Sequence, residues 1–430
     1  MTTMTDAFKL PCGATLPNRI AKAAMTEGLA DPWLRATERH ARAYRQWSHG
    51  GAGLLISGNV MIDRLRLERP GNVAIDGNGG VDGLRNWARA GTEAGNHLWM
   101  QISHPGRQTP RYVTLDPMGP SAVQLDMLAN YAKPREMTGD EIEDFIRRFA
   151  HVAVTARDAG FTGVQVHAAH GYLLSSFLSP VTNRRGDEWG GALENRARFL
   201  LEVLRATRAA VGDDFPVAVK LNSDDFRKGG FTHDDCLQVV QWLNDERVDL
   251  LEISGGTYEQ PKLLGVDGRD DSAVERKSTR AREAYFLDYA ESIRTVAKMP
   301  LMVTGGFRSA EGINAALAEG HCDVVGLARP LCTHPDAPKQ MFGGRMTTLP
   351  SFEHDLSLGD AQWLGKNSHL YVIKIVHTIG QLGWYCLQIA RLGDGTKRHH
   401  YGLWRATFSY LMDEYVTAFK RWRASRRPAA

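Results

Sequence analysis

Eight short apolar runs punctuate the chain between about residues 20 and 340. They are Ile20–Met25, Leu54–Val60, His97–Ile102, Gly163–His167, Pro216–Leu221, Val248–Ile253, Leu301–Thr304 and Asp323–Leu327. Each spans four to seven residues, mostly Val, Ile and Leu, without strict alternation. Parallel strands covered on both faces have this pattern. Stretches of helical periodicity separate them, centred on residues 36–48, 81–95, 139–159, 193–211, 233–246, 282–297 and 309–319. Thr138 followed by Glu141 three residues later predicts a capping box at the start of the third. Eight strands alternating with helices predict an α/β architecture, a (β/α)8 TIM barrel. A doubly wound sheet competes, but no G-x-G-x-x-G follows an early strand.

Two loops are long, residues 104–137 after the third strand and 256–281 after the sixth; loops of that length are usually functional lids or disordered. Beyond the barrel the pattern changes, which divides the chain into a barrel unit, residues 1–360, and a helical C-terminal extension, residues 361–430. Val372, Ile375, Val376, Ile379, Leu382, Cys386 and Ile389 form one helical stripe. Trp404, Phe408, Leu411, Tyr415, Phe419 and Trp422 form a second, and Leu392-Gly-Asp-Gly395 reads as the turn between them.

Charge sharpens that division. The 430 residues carry a net charge of +3, yet residues 366–430 hold 11 Lys and Arg against 3 Asp and Glu. A helical hairpin packed on the barrel or on a second subunit is the reading preferred here over a basic, Trp-bearing membrane-surface helix. The longest uncharged stretch, Ile375–Ala390, is too short and polar to span a bilayer. Charge alone, without a motif, does not make a nucleic-acid binder. With 43% hydrophobic and 23% charged residues the chain reads as soluble and globular. Five cysteines without a C-x-x-C pair argue against a disulfide framework, a zinc site and an iron–sulfur cluster. Together with an N-terminus lacking an apolar signal core, they predict a cytoplasmic protein.

Chemistry concentrates at the predicted strand ends, where a barrel of this kind binds ligands. His167-Ala-Ala-His170-Gly-Tyr172 puts two imidazoles and a phenol within six residues of the fourth. Imidazoles can donate hydrogen bonds to a carbonyl or nitro oxygen, and a phenol can protonate a strongly basic carbanion. Zinc ligation by H-x-x-H lacks a third ligand at a matching strand end, so no metal is expected. Gly305-Gly306 and Gly326-Leu-Ala328-Arg329 end strands seven and eight, the usual phosphate site of a barrel. Alone, that pair would equally suit a phosphate-binding barrel lyase.

The string from His167 through Tyr172, Asn183 and Gly190-Gly191 to Phe199, with Asn18-Arg19, Met25-Thr26, Gly58, Gln101 and the glycine-bearing ends, resembles the old yellow enzyme family of FMN-dependent oxidoreductases. The resemblance covers about residues 7 to 345. It implies FMN across the barrel mouth. Ala24, Met25 and Thr26 would line the flavin edge, with the Thr26 hydroxyl near the C4 oxygen. Gln101 would face the pyrimidine ring, and Gly58 would allow close approach. Lys220 would place a cation by the N1–C2 region, where many relatives have Arg. Gly305, Gly306, Ala328 and Arg329 would hold the phosphate. His167 and His170 would bind the substrate's electron-withdrawing group, with Tyr172 as proton donor.

The resemblance further implies NAD(P)H as electron donor and a small molecule with an activated C=C bond as substrate, the chemistry of an ene-reductase. A flavin-dependent amine or alcohol dehydrogenase is the rival on the same barrel. A two-domain branch carries a four-cysteine cluster after strand eight. Here that region reads Arg329-Pro-Leu-Cys332-Thr-His-Pro, so neither cluster nor second flavin domain is expected.

Overall fold

In a computed structural model the eight runs close into a barrel. The structure describes residues 1–127, 129–256, 287–359, 361, 363–365, 368–396 and 401–426. The second long loop thus lies almost wholly outside the described residues. The barrel strands are β1 (Ile20–Lys22), β2 (Leu54–Ile56), β3 (His97–Ser103), β4 (Gly163–Ala168), β5 (Val217–Asn222), β6 (Leu250–Ser254), β7 (Leu301–Thr304) and β8 (Val324–Leu327). All neighbours are parallel, and the order is sequential around the ring. Leu54 opposite His97 joins β2 to β3, and Val325 opposite Ile20 closes β8 on β1.

Two predicted runs overshoot their strands for local reasons. Ala23 makes the last ladder bond, its N–H donating to the Leu327 carbonyl, and residues 24–26 then leave the sheet. The second run breaks at Gly58, whose N–H donates to Glu27 Oε1 at 2.6 Å, and pairing resumes at Val60–Met61.

The outer ring contains α1 (Glu38–His49), α2 (Val81–Gly91), α3 (Gly139–Asp158), α4 (Leu193–Val211), α5 (His233–Leu243), α6 (Leu287–Arg294) and α7 (Ala310–Ala318). The capping box opens α3: Thr138 Oγ1 accepts from Glu141 N at 3.2 Å and Glu141 Oε2 accepts from Thr138 N at 2.9 Å. Inside the barrel an apolar floor of Leu54, Trp99, Ala218, Leu250 and Met302 is sealed from below by Leu10 and Leu16 of the N-terminal hairpin. Polar side chains occupy the storeys above, so the chemistry faces the C-terminal ends of the strands.

The extension forms two long helices, α8 (Tyr371–Asp394) and α9 (Leu403–Ser425). The turn expected at Leu392–Gly395 is helical as far as Asp394, and only Gly395 takes a left-handed φ of 68°. Contacts with α1 hold that last turn: Arg39 pairs with Asp394 at 2.7 Å and Arg42 donates to the Gly393 carbonyl at 2.8 Å. Gly380 and Gly383 let α9 approach closely. A Cβ on Gly380 would lie 2.5 Å from Thr407 Oγ1, and one on Gly383 would lie 2.7 Å from Tyr410 Cβ.

The packed side of α9 is therefore its small and polar side, with Leu403, Ala406, Thr407, Glu414 and Ala424 buried. The stripe Trp404, Phe408, Leu411, Tyr415, Phe419, Trp422, expected to be covered, faces solvent instead. Among the described residues no helix is long and apolar enough to cross a membrane.

One buried ion pair ties α9 to the loop after β2. Arg69 Nε donates to Glu414 Oε1 at 2.9 Å, Arg69 Nη2 binds the same oxygen, and Tyr112 donates to Oε2 at 3.4 Å. Breaking a buried pair strands a charge. Glu414→Ala should lower the unfolding free energy by about 3–5 kcal/mol in urea denaturation, whereas the apolar pair Arg69→Met/Glu414→Leu should recover most of that loss.

Candidate active site

Three rings converge above β4. His167 is the penultimate residue of β4, and His170 (φ 63°) and Gly171 (φ 78°) then turn the chain through two left-handed residues. Tyr172 follows, at the N-terminus of a short helix, Leu173–Leu178. Ring centroids lie 5.1 Å apart for His167 and His170, 4.8 Å for His167 and Tyr172, and 6.4 Å for His170 and Tyr172. A positive φ is costly for histidine, and three contacts hold it. Its N–H donates to Asn222 Oδ1 at 3.0 Å, its carbonyl accepts from Gln108 Nε2 at 2.8 Å, and its Nε2 lies 2.6 Å from Ser254 Oγ.

Both imidazoles are neutral. Burial and the Lys220 charge hold them well below the usual histidine range, with His167 adding to the effect on His170. The Ala169 N–H donates to His167 Nδ1 at 3.2 Å, so the ring proton of the neutral form sits on Nε2 and is available as a donor.

Below the rings runs a buried polar chain. Gln101 Nε2 donates to Gln165 Oε1 at 2.8 Å, Gln165 Nε2 donates to Glu252 Oε2 at 2.8 Å, and Glu252 Oε1 pairs with Lys220 Nζ at 2.9 Å. The Gln101 amide, expected to serve the pyrimidine ring, thus spends one N–H on Gln165. Gln165 and Glu252 were missed in the sequence, although a polar residue inside an otherwise apolar run was the available signal.

Two further residues of the expected site have close partners within the protein. Gly58 makes room within the protein: a Cβ there would lie 2.5 Å from the Met25 carbonyl oxygen and strike the Glu27 carboxylate. Thr26 Oγ1 donates to Glu68 Oε2 at 3.0 Å.

Ala24, Met25 and Thr26 are half-buried where the chain leaves β1. Met25, Thr26, Ala328 and Arg329 line one side of a cavity of about 260 Å3, and Gln381 and Tyr385 of α8 line the other. Gly305 and Gly306 follow β7 with φ of 120° and 82°, also half-buried. Glu353 joins the nearby arginines: Arg308 Nη2 donates to Oε1 at 2.7 Å, Arg329 Nη1 lies 3.3 Å from Oε1, and the Tyr385 hydroxyl donates to Oε2 at 2.5 Å. Burial alone would raise the Glu353 carboxyl, but Arg329, Tyr385 and Arg308 override it and hold it at about 2. Arg329 keeps 45% of its side chain exposed. Two glycine turns and an open guanidinium suit a phosphate ester, so these residues fit FMN. Among the described residues no three His, Cys, Asp or Glu side chains gather as a metal would need.

A family model described as NADH:flavin oxidoreductase / NADH oxidase matches residues 9–347. The chain belongs to this flavin oxidoreductase family. FMN and NAD(P)H are accordingly its cofactors, and its barrel is that of the old yellow enzymes. The NADH-dependent flavin oxidoreductase iliE of Neonectria sp. (strain DH2) is 38% identical over 84% of this chain, which spans 49% of that protein. The NADH-dependent flavin oxidoreductase iccE of Talaromyces variabilis is 37% identical over 78% of this chain and 85% of its own length. Among solved structures, an old yellow enzyme homologue from Zymomonas mobilis superposes with TM-score 0.68 at 29% identity, covering 82% of this chain and 95% of its own. A 2-naphthoyl-CoA reductase complex superposes with TM-score 0.75 at 28% identity, over 85% of this flavin oxidoreductase and 56% of that protein.

The imidazoles supply a pH test. Folded, His167 and His170 stay neutral below pH 6.5, whereas in the unfolded chain they take up protons there. Stability therefore falls as pH drops below about 6.5, by up to about 1.4 kcal/mol per pH unit for each histidine. His40, held down to about 3 by burial, adds to the slope. NMR should find the His167 and His170 ring shifts flat from pH 7.5 to 5.5, while urea unfolding shows the declining stability.

Proposed function

We propose that the chain is an NAD(P)H-dependent ene-reductase acting on a small molecule whose C=C bond is activated by a carbonyl or nitro group. FMN, when bound, would supply hydride-transfer chemistry between the nicotinamide and an electron-poor carbon. The convergence of two neutral imidazoles and a phenol carries this reading. His167 Nε2–H, with His170 beside it, hydrogen-bonds the activating oxygen and stabilises the negative charge that grows on it. Tyr172 donates its hydroxyl proton to the α-carbon, balancing the hydride received at the β-carbon. Lys220, anchored by Glu252, sets a positive charge beneath the mouth.

The barrel unit, residues 1–360, is the FMN-binding part of this proposal, and the extension, residues 361–430, contributes a wall. The five free thiols suit a reducing cytoplasm.

Tyr172→Phe separates the roles. Reduction by NAD(P)H should stay within about twofold, while reoxidation by a weakly activated enone slows by about 100-fold or more in stopped-flow absorbance. Equal loss in both half-reactions would assign Tyr172 to binding. Mild denaturation of the purified protein should release FMN, and release of FAD, or of no flavin, would overturn the cofactor assignment.

A further inference from the structure

The outward face of α9 is an exposed apolar feature that the active site does not use. Phe408 is 68% exposed, Trp404 and Tyr415 each 56%, and Trp422 49%. Trp404, Phe408, Leu411, Tyr415, Phe419 and Trp422 recur every three or four residues and share one side over five turns. The opposite side is packed, whereas the stripe is largely exposed: Trp404 Nε1 donates to the Leu358 carbonyl at 3.2 Å and the Tyr415 ring lies 5.4 Å from that of Tyr112, yet both side chains stay more than half exposed.

The charge around it has one dominant sign. Arg405, Lys420, Arg423 and Arg426 are exposed on α9 or at its end, with only Asp413 acidic and exposed among its described residues. Two of the cations lie over the stripe itself: the Arg426 guanidinium is 4.0 Å from the Trp422 ring centroid and that of Arg423 is 5.9 Å from Phe419. Indole and phenol groups, each with an apolar body and a polar tip, suit a boundary between hydrocarbon and water.

We propose that this face of α9 docks, lying flat, on an anionic lipid bilayer surface. A second copy of the chain fits less well. In an antiparallel two-fold pairing Arg405 would meet Arg423 and Arg426, and in a parallel one Arg423 would meet its own image; both place like charges together. An anionic headgroup layer complements them, and the aromatic stripe inserts at the acyl boundary.

The test uses the full-length holoprotein and sedimentation with phosphatidylcholine vesicles, with or without phosphatidylserine. Binding should require phosphatidylserine and weaken as salt rises. Phe408→Ser/Phe419→Ser/Trp422→Ser alters exposed side chains only; with unchanged flavin absorbance and melting it should reduce binding by about tenfold or more. Lys420→Glu/Arg423→Glu should abolish the preference for phosphatidylserine. Failure of the parent to sediment, or equal binding by the triple variant, would overturn the proposal. So would a soluble dimer that the triple variant dissociates, which would make the face a contact between copies.

Discussion

Much of the site follows from one buried cation. Lys220 lies under the barrel mouth with little exposure, and a charge in that setting needs a partner and a hydrogen-bonded surround. Glu252 provides the partner, and Gln165 and Gln101 carry the polarity across the barrel interior. Burial is the main reason that His167 and His170 stay neutral, and the same Lys220 charge adds to it, which leaves them as neutral hydrogen-bonding groups. A truncated partner would therefore alter the imidazoles as well as the lysine. For the same reason the Lys in place of the more usual Arg matters: a compact ammonium pairs with Glu252 Oε1 at 2.9 Å, without the planar fork of a guanidinium.

The barrel was legible because both faces of its strands are buried, which writes continuous apolar runs into the sequence. The His167–Tyr172 cluster was legible because one strand end and one tight turn bring its members together. Glu353 and Tyr385 gave no such signal; they meet Arg329 and Arg308 through tertiary packing between segments with no shared pattern. Thr26 and Gly58 were read toward a ligand, but their nearest partners are the protein's own carboxylates, Glu68 and Glu27. The α9 stripe failed for a different reason. Periodicity identifies a face without saying what covers it, and small residues can make the packed side. Gly380 and Gly383 bring the backbones so close that Thr407 and Tyr410 fill the contact, leaving the larger side chains outside.

The extension is also part of the mouth. Tyr385 on α8 holds Glu353, which holds Arg308 and Arg329, while Gln381 lines a cavity with Met25 and Thr26. Glu414 on α9 anchors the pair of helices to Arg69, only one residue from the Glu68 that engages Thr26. Mechanical strain on the outer helix would be felt at the mouth through two short connections, both made of charged or hydrogen-bonded groups rather than apolar contact alone.

Closure of the ring has a consequence for biosynthesis. β1 pairs with β8, and Ile20 finds Val325 only after about 300 further residues have been made. At roughly 5–20 residues per second, β1 and the hairpin beneath it wait on the order of tens of seconds on the ribosome with one edge unsatisfied. That edge is a template for wrong partners during the interval. The edge strand is short, only Ile20–Lys22, and Lys22 in it ends as a buried cation donating to the Ile56 carbonyl at 2.8 Å. Charged and solvated until the ring closes, that lysine would discourage premature pairing in the nascent chain.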